Sequence, residues 1–309
     1  MDAVPHVRFQ LRLLTACFVA QLLAGMAESV VISSGNGTGN TTPPADDFGF
    51  ENVGVTDTGL SGVYLGDGWV LTASHVGARP ITLAGVTYQA IANSGVWLTN
   101  TSGAPPDLFV YEINGFPNLP HVALSSATPT VGESISCAGS GWTRQATLTT
   151  WNQSWQEAPP PVYRGYKPGG PGTRRWGTNL VAATGSDISI GDPPQTTTRS
   201  IETLFDEVGG TTHESQAVVG DSGGGCFAKR SGTWELVGVM FAILLFPNQP
   251  VSTAVFGDAT IAADVAFYRT QIEQLTPPPD RVPALPAIAA AALASLLVLA
   301  ARRMRTVRS

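Results

Sequence analysis

The chain has 309 residues, of which 43% are hydrophobic and 13% are charged, with 34 Gly and 23 Pro. This composition is too apolar for a disordered protein, and its glycine and proline content favours turns over long helices. Residues 28–276 carry 10 basic and 21 acidic side chains, a net charge of −11, which disfavours nucleic acid as a partner.

The first 27 residues have the three parts of a secretory signal peptide. Arg8 and Arg12 precede an apolar run over residues 13–24, and small residues stand at Gly25 and Ala27. We therefore expect export, with signal peptidase cutting after Ala27. The alternative is an N-terminal core helix.

Residues 28–47 are rich in Ser, Gly, Asn and Thr. This composition predicts a low-complexity linker between the signal peptide and a folded domain over residues 48–275. Cys17 leaves with the signal peptide, so Cys137 and Cys226 remain as an even pair in an oxidising compartment, which indicates one disulfide.

Residues 48–262 alternate short β-branched or aromatic runs with clusters of Gly, Pro, Asn and Asp, which predicts an antiparallel all-β fold. The clearest strands are residues 62–65, 69–73, 108–113 and 234–241. A single helix is predicted after them, because apolar residues recur at three- and four-residue steps: Ile261, Val265, Tyr268, Ile272 and Leu275.

The C-terminal end predicts a membrane segment. Residues 276–283 form a Pro-rich linker, residues 284–301 are an Ala/Leu-rich stretch, and residues 302–309 are a basic tail. The apolar stretch is just long enough to span a bilayer as a helix, and its arginines stay on the cytoplasmic side, so the folded domain would lie outside.

The Val-Pro-Ala-Leu-Pro motif at residues 282–286, followed by this helix and the Arg-rich tail, resembles sorting signals of the PEP-CTERM type. The resemblance implies a bacterial protein whose tail is processed by an exosortase-like enzyme. The alternative is an ordinary stop-transfer anchor, because the motif departs from Pro-Glu-Pro. In both cases we expect the protein at the cell surface or outer envelope, tethered or released after processing.

Three positions in the folded domain carry chemistry. His75 directly follows a hydrophobic strand, Asp107 opens another, and Ser222 lies in a glycine-rich turn. Of the remaining histidines of the domain, His121 follows Pro120 in a predicted loop and His213 lies beside Glu214, and both are expected to be solvated or structural.

These three residue types suit acyl transfer. A serine hydroxyl is a weak nucleophile near neutral pH, so an imidazole must take its proton and later deliver it to the leaving group. His75 can do this for Ser222. A carboxylate at the other ring nitrogen fixes the tautomer and stabilises the cation, the role open to Asp107, with Asp67 and Glu112 as less suitable substitutes.

The glycine-rich turn also predicts an oxyanion hole. Glycine at position 220 lets the peptide turn its N–H inward. The backbone N–H groups of Gly220 and Ser222 are the expected donors to the tetrahedral oxyanion, each contributing on the order of 3 kcal/mol.

At these motifs the chain resembles the trypsin/chymotrypsin family of serine proteases. The family's Leu-Thr-Ala-Ala-His is Leu-Thr-Ala-Ser-His at residues 71–75, its Asp before an apolar strand is Asp107, and its Gly-Asp-Ser-Gly-Gly stands at residues 220–224. The chain order His, Asp, Ser is also the family's. The resemblance implies two packed antiparallel β-barrels over residues 48–275, with the triad in the cleft between them.

The resemblance also implies a disulfide pairing and an activity. The family's Cys-x-x-x-Gly-Trp segment matches residues 137–142, and its cysteine pairs with one just beyond the catalytic serine, here Cys226. The implied activity is that of a serine endopeptidase acting on a protein or peptide substrate. We expect a monomer that needs no cofactor and no metal ion.

The chain departs from the family in its activation. The family matures by exposing an Ile or Val N-terminus that pairs with the Asp before the serine, here Asp221, but no Arg-Ile-Val-Gly-Gly sequence occurs. Either Asp221 has another partner or the enzyme is exported already active. Residues 144–212 are longer than the family's region and are predicted to form surface loops around the cleft.

The predicted substrate pocket contains Gln216, Phe241, Ala242 and Ile243. Gln216 stands where trypsin has the Asp that binds Lys or Arg, so trypsin specificity is not expected. Ile243 replaces a glycine of the family's substrate strand, which would narrow the pocket and favour small or medium apolar side chains.

The missing activation sequence and the altered substrate strand leave a second hypothesis open. It is a catalytically inactive binding or adhesion module on the same scaffold. The intact set of His75, Asp107 and Ser222 argues for the enzyme. A metal-dependent hydrolase is not supported, because no His, Cys and Glu cluster has ligand spacing.

Overall fold

The computed structural model describes residues 30–170, 172–191 and 195–278. The predicted signal peptide over residues 1–27 lies outside these ranges, as do the predicted membrane segment and basic tail. In the described ranges, no helix has both the length and the apolar character that crossing a membrane requires.

The N-terminal half of the described chain forms an antiparallel barrel. A short strand, β1 (Val31–Ile32), and a 3-10 turn (Phe50–Asn52) precede it. Its strands are β2 (Val53–Thr56), β3 (Ser61–Gly66), β4 (Trp69–Thr72), β5 (Ile81–Leu83), β6 (Val86–Tyr88), β7 (Val96–Trp97) and β8 (Phe109–Glu112). They pair in the order β6, β5, β2, β3, β4, β8, β7. A bridge between Ala90 and Ile113 joins the chain after β6 to the end of β8 and closes the ring.

The C-terminal half forms a second barrel. The strands of this half are β9 (Ala123–Leu124), β10 (Ser134–Gly139), β11 (Thr143–Arg144), β12 (Thr149–Trp151), β13 (Tyr163–Tyr166), β14 (Pro168–Gly170), β15 (Arg175–Ile190), β16 (Thr196–Leu204), β17 (Ser215–Gln216), β18 (Gly225–Arg230), β19 (Thr233–Leu244), β20 (Ala254–Val255) and β21 (Ala259–Asp264). Strands β11, β12, β13, β14, β17 and β20 belong to smaller sheets outside the barrel. Strands β18, β10, β15, β16, β21 and β19 pair in that order, and β19 pairs back with β18, so the ring closes. The predicted all-β fold of two antiparallel barrels is confirmed.

One hydrophobic cluster joins the two barrels and the C-terminal helix α1 (Val265–Leu275). It contains Val63 of the first barrel, Phe227 and Leu236 of the second, and Ile272 of α1. Because side chains alternate along a strand, the neighbouring Tyr64 points to a separate cluster within the first barrel. The barrels therefore share a core.

Helix α1 begins later than the periodicity indicates. The Asp264 side chain accepts a hydrogen bond from the Ala266 N–H at 3.0 Å and caps the helix. Ile261, which the spacing placed on the helix, lies instead in β21. There it pairs with Glu202 of β16 and Ala242 of β19, so sheet pairing on both sides overrides the helical spacing.

The prediction of surface loops over residues 144–212 was partly wrong. This segment contains β15 and β16, which form a long hairpin and two neighbouring strands of the second barrel. Their outer ends alternate half-buried and exposed residues, many of them Ser, Thr or Gly. That composition is typical of loops, and the strand pairing is what determines the structure.

Residues 30–47, whose composition indicated a linker, lie along the second barrel. Strand β1 pairs with β17. The Arg144 side chain donates to the carbonyl oxygens of Ile32 at 2.6 Å and Gly35 at 2.7 Å. The Trp176 indole donates to the Thr42 carbonyl at 2.9 Å. Since buried backbone carbonyls need donors, these side chains hold a segment that has few apolar residues of its own.

Candidate active site

The strand pairing brings His75 and Asp107 together. Strands β4 and β8 are antiparallel, with Thr72 opposite Phe109, so the chain leaving β4 passes beside the chain entering β8. His75 lies three residues after Thr72, and Asp107 lies two residues before Phe109. The distance between His75 Nδ1 and Asp107 Oδ2 is 2.8 Å.

Asp107 is a buried carboxylate with several donors. Its Oδ1 atom accepts hydrogen bonds from the Ser74 hydroxyl at 2.7 Å and from the His75 backbone N–H at 3.1 Å, and its own N–H donates to Thr198 Oγ1 at 2.8 Å. Burial by itself raises the pKa of Asp107, but the bonds from His75 and Ser74 outweigh it and hold the pKa below its usual value. The ionised carboxylate can only accept at His75 Nδ1, which leaves Nε2 with the lone pair that a general base needs.

The loop that carries Ser222 contacts the first barrel. The Ser222 carbonyl oxygen accepts from the Ser61 N–H of β3 at 2.8 Å, and the Gly223 N–H donates to the Met240 carbonyl of β19 at 2.7 Å. A side chain at Gly223 would collide with the Ser61 carbonyl oxygen and the Thr72 hydroxyl. The serine loop thus packs on the end of β4, the strand that leads to His75.

The turn at residues 218–224 presents uncommitted backbone donors. The N–H groups of Asp221, Gly223 and Gly224 donate to carbonyl oxygens. Across the described residues, three N–H groups of this turn have no protein acceptor: those of Val219, Gly220 and Ser222, of which Gly220 and Ser222 are the predicted oxyanion donors. Gly220 has a φ of 107°, which favours glycine. An oxyanion hole needs such a pair of uncommitted donors.

Asp221 is buried beneath this turn. Its Oδ1 atom accepts from the Gly141 N–H at 2.7 Å, and its Oδ2 atom accepts from the Val218 N–H at 2.8 Å. Burial raises the pKa of Asp221 to about 7, while the two N–H donors and the positive charge of Arg175 act in the opposite direction. Two backbone N–H donors and one positively charged side chain therefore act on this buried carboxylate.

The residues of the predicted pocket lie close together. Gln216 is the last residue of β17, and Ile243 pairs with Thr260 between β19 and β21. The Thr260 hydroxyl donates to Gln216 Oε1 at 3.3 Å and accepts from the Ala217 N–H at 2.8 Å. Phe241 is buried and Ala242 is half-buried on the same strand as Ile243. Thr260 was not singled out from the sequence, because no local pattern marks it.

Cys137 and Cys226 are joined by a disulfide, which confirms the predicted pairing. They are opposed partners in the pairing of β10 with β18. Strand β18 begins three residues after Ser222, so the disulfide lies close behind the serine loop.

Sequence reasoning missed Ser74 and Thr198, which hydrogen-bond Asp107, and Arg175, whose positive charge acts on Asp221. Ser74 is next to His75 in the sequence and could have been considered as a donor. Thr198 and Arg175 lie far along the chain from Asp107 and Asp221, respectively. The less suitable carboxylate Asp67 lies 3.6 Å from His121, and the ring of His213 contacts the Ser34 hydroxyl at 3.3 Å. In the described part of the chain, no group of three or more His, Cys, Asp or Glu side chains is arranged to hold a metal ion.

No family model matches the chain, and neither does any curated protein. Among solved structures, neuropsin, a serine protease expressed in the limbic system of mouse brain, is 17% identical, with a TM-score of 0.47 over 76% of this chain and 97% of that one. An inactive form of the Rv3671c protease from M. tuberculosis H37Rv is 13% identical, with a TM-score of 0.44 over 74% of this chain and 91% of that one. At these identities and TM-scores the similarity assigns no family to the chain.

Proposed function

We propose that the protein is a serine endopeptidase in which Ser222 is the nucleophile, His75 the general base and Asp107 the group that orients it. The observation that carries the proposal is the 2.8 Å contact between His75 Nδ1 and the buried Asp107 carboxylate. The packing of the serine loop on the end of β4 supports it, because β4 leads directly to His75.

In the proposed reaction, Ser222 Oγ attacks the peptide carbonyl carbon while His75 Nε2 takes the hydroxyl proton. Asp107 stabilises the imidazolium, and the N–H groups of Gly220 and Ser222 bind the oxyanion. The tetrahedral intermediate then breaks the C–N bond, and His75 gives its proton to the leaving amine. Water repeats the sequence on the acyl-enzyme and releases the acid.

We further propose that the pocket accepts small or medium apolar side chains. Gln216 offers no negative charge for a basic side chain, and Ile243 occupies space beside it. Cleavage of a peptide library should show this preference at the residue before the cut. A preference for basic or acidic residues there would contradict it.

Export and attachment at the cell surface complete the proposal. They rest on the composition of residues 1–27 and 284–301, which lie outside the described structure. Fractionation of the producing cells checks them, and recovery of the full-length protein in the cytoplasm would contradict them.

The test of the enzyme is labelling by a fluorophosphonate probe, which reacts with an activated serine. We expect the full chain to be labelled and the Ser222→Ala variant to be unlabelled. Ser154→Ala is the matched control, because Ser154 is an exposed serine of a surface turn and its loss should leave labelling intact.

A folded wild type that takes up no label would overturn the proposal. It would favour the binding or adhesion module, whose scaffold needs no activated nucleophile.

A further inference from the structure

The buried carboxylate of Asp221 occupies a space made by two glycines at the end of β10. A side chain at Gly139 or at Gly141 would collide with the carboxylate. Asp221 therefore lies over the face of the sheet toward which a residue at position 139 would point.

Arg175 reaches the same face from the next strand. In the pairing of β10 with β15, Arg175 is the direct partner of Gly139. Opposed residues of an antiparallel pair direct their side chains to one face of the sheet. The Arg175 side chain thus leaves the sheet on the face that the Asp221 carboxylate covers, and each residue is no more than 2% exposed.

The opposite charges of Arg175 and Asp221 stabilise each other. Burial lowers the pKa of Arg175, and the negative charge of Asp221 opposes that shift. Arg175 in turn opposes the effect of burial on Asp221. A buried charge without such compensation is strongly unfavourable.

Asp221 is hydrogen-bonded to the turn that carries the proposed oxyanion donors. Its carboxylate accepts from the N–H groups of Gly141 and Val218, which anchors the turn at both sides. The Gly220 and Ser222 N–H groups belong to the same turn. A shift of Asp221 would therefore move both donors.

We propose that Arg175 is a positioning residue of the protease, supplying the internal positive charge that holds Asp221 and, through it, the oxyanion donors of Gly220 and Ser222. The inference rests on the proposed function and deepens it. In the family that the chain resembles, a newly exposed N-terminus supplies this positive charge. Here Arg175 of β15 would supply it, so that no cleavage of the chain is needed to place a positive charge near Asp221.

The neutral variant Arg175→Gln tests the inference. Glutamine can still donate to the Gly39 carbonyl, the present acceptor of Arg175 Nε at 2.6 Å. We expect kcat for a peptide ester near neutral pH to fall about 100-fold, with KM changed less than about threefold, because the loss concerns oxyanion stabilisation. Arg175→Lys keeps the charge and should recover at least about tenfold of the loss.

The pH profile separates positioning from a purely structural role. Without the Arg175 charge, Asp221 loses its proton at higher pH, so the acidic limb of kcat should move up by about one pH unit or more. The charged side chain that shares the face with Asp221 is Arg175, and Arg144 acts in turn on Arg175.

Arg144→Gln is the matched control. Arg144 is buried like Arg175 and donates to carbonyl oxygens of residues 32–35, but none of its hydrogen bonds in the described structure reaches the serine loop. We expect its kcat within about threefold of wild type and its acidic limb unchanged.

Each outcome decides a different claim. A labelled wild type with an Arg175→Gln variant of equal kcat and unchanged acidic limb would overturn this inference alone. Absence of labelling in folded wild type would overturn the proposed function and this inference with it. If Arg175→Gln does not fold, Asp221→Asn replaces it: we expect a comparable loss of kcat, and wild-type kcat in that variant would overturn the inference.

Discussion

Two buried carboxylates of the candidate site and its supporting turn, Asp107 and Asp221, have pKa values shifted in opposite directions. Burial acts on both, but Asp107 receives bonds from His75 and Ser74 that hold its pKa low, whereas burial raises the pKa of Asp221 to about 7. The difference lies in the number and charge of the donors that each carboxylate has. The bonds from its immediate neighbours therefore favour the ionised form of Asp107, while the Val218 and Gly141 N–H groups and the charge of Arg175 only partly offset the burial of Asp221.

A third buried carboxylate, Asp258, is expected to make the stability of the fold depend on pH. It is buried, its Oδ2 atom accepts from the Val255 N–H at 2.7 Å and from the Gln249 amide at 2.9 Å, and its Oδ1 atom has no hydrogen-bond partner in the described structure. Burial raises its pKa to about 7 from 3.8. The folded state thus prefers the protonated form, so the contribution to stability is fully present below the unfolded pKa of 3.8 and is lost as pH rises through about 7.

We expect the Asp258→Asn variant not to show this loss of stability as the pH rises. Between about pH 4 and about pH 8, the free energy of unfolding of wild type should fall relative to the variant by about 2–4 kcal/mol, since each pKa unit corresponds to about 1.4 kcal/mol. Urea unfolding at a series of pH values measures the difference. Parallel curves for the two proteins would contradict the expectation.

Strand β10 connects the parts of the site. Cys137 ties it to β18, and Gly139 borders Asp221. Just beyond the strand, Ser140 Oγ lies 2.7 Å from Ser61 Oγ and donates to the Gly59 carbonyl at 2.8 Å, so β10 also contacts the first barrel. A change in β10 should therefore affect the serine loop and the contact between barrels.

The disulfide on β10 gives a prediction for this element. It links cysteines separated by 89 residues, so its removal frees a long loop in the unfolded chain. We expect the double variant Cys137→Ala, Cys226→Ala to lose about 3–5 kcal/mol of unfolding free energy, measured by guanidinium unfolding. A loss below about 1 kcal/mol would show that the loop is already constrained without the bond.

The shared hydrophobic cluster makes the two barrels one cooperative unit. Val63 and Leu71 come from the first barrel, Phe227 and Leu236 from the second, and all four are fully or nearly fully buried. Neither barrel can lose these contacts without exposing apolar surface of the other. We therefore expect both barrels to unfold together.

Phe227→Ala tests this at the level of the molecule. Removing a buried aromatic side chain should cost about 3–5 kcal/mol, and the remaining transition should stay single. The chain has seven tryptophans, so the two halves are followed by fluorescence in two variants that each keep a single one, Trp97 in the first barrel or Trp234 in the second. Separate midpoints for the two signals would contradict a shared core.

The strands nearest the site were predictable from local pattern. Apolar runs bounded by turn residues predicted β3, β4, β8 and β19, and the even pair of cysteines indicated the disulfide. The start of α1 was not predictable, because Ile261 fits a helical spacing and is held in β21 by partners on two other strands. The packing of residues 30–47 could not be predicted either, because the side chains that donate hydrogen bonds to this segment, Arg144 and Trp176, lie far along the chain.

The amino-acid sequence alone determined which chemical groups the site offers and where strands and turns fall, because period-two alternation and glycine-rich turns are local properties of the chain. Only the tertiary structure decided that His75 meets Asp107, that Gly139 leaves space for Asp221, and that Arg175 faces it from the next strand. These contacts depend on strand register and barrel closure, and both are set by pairing between segments far apart in the sequence.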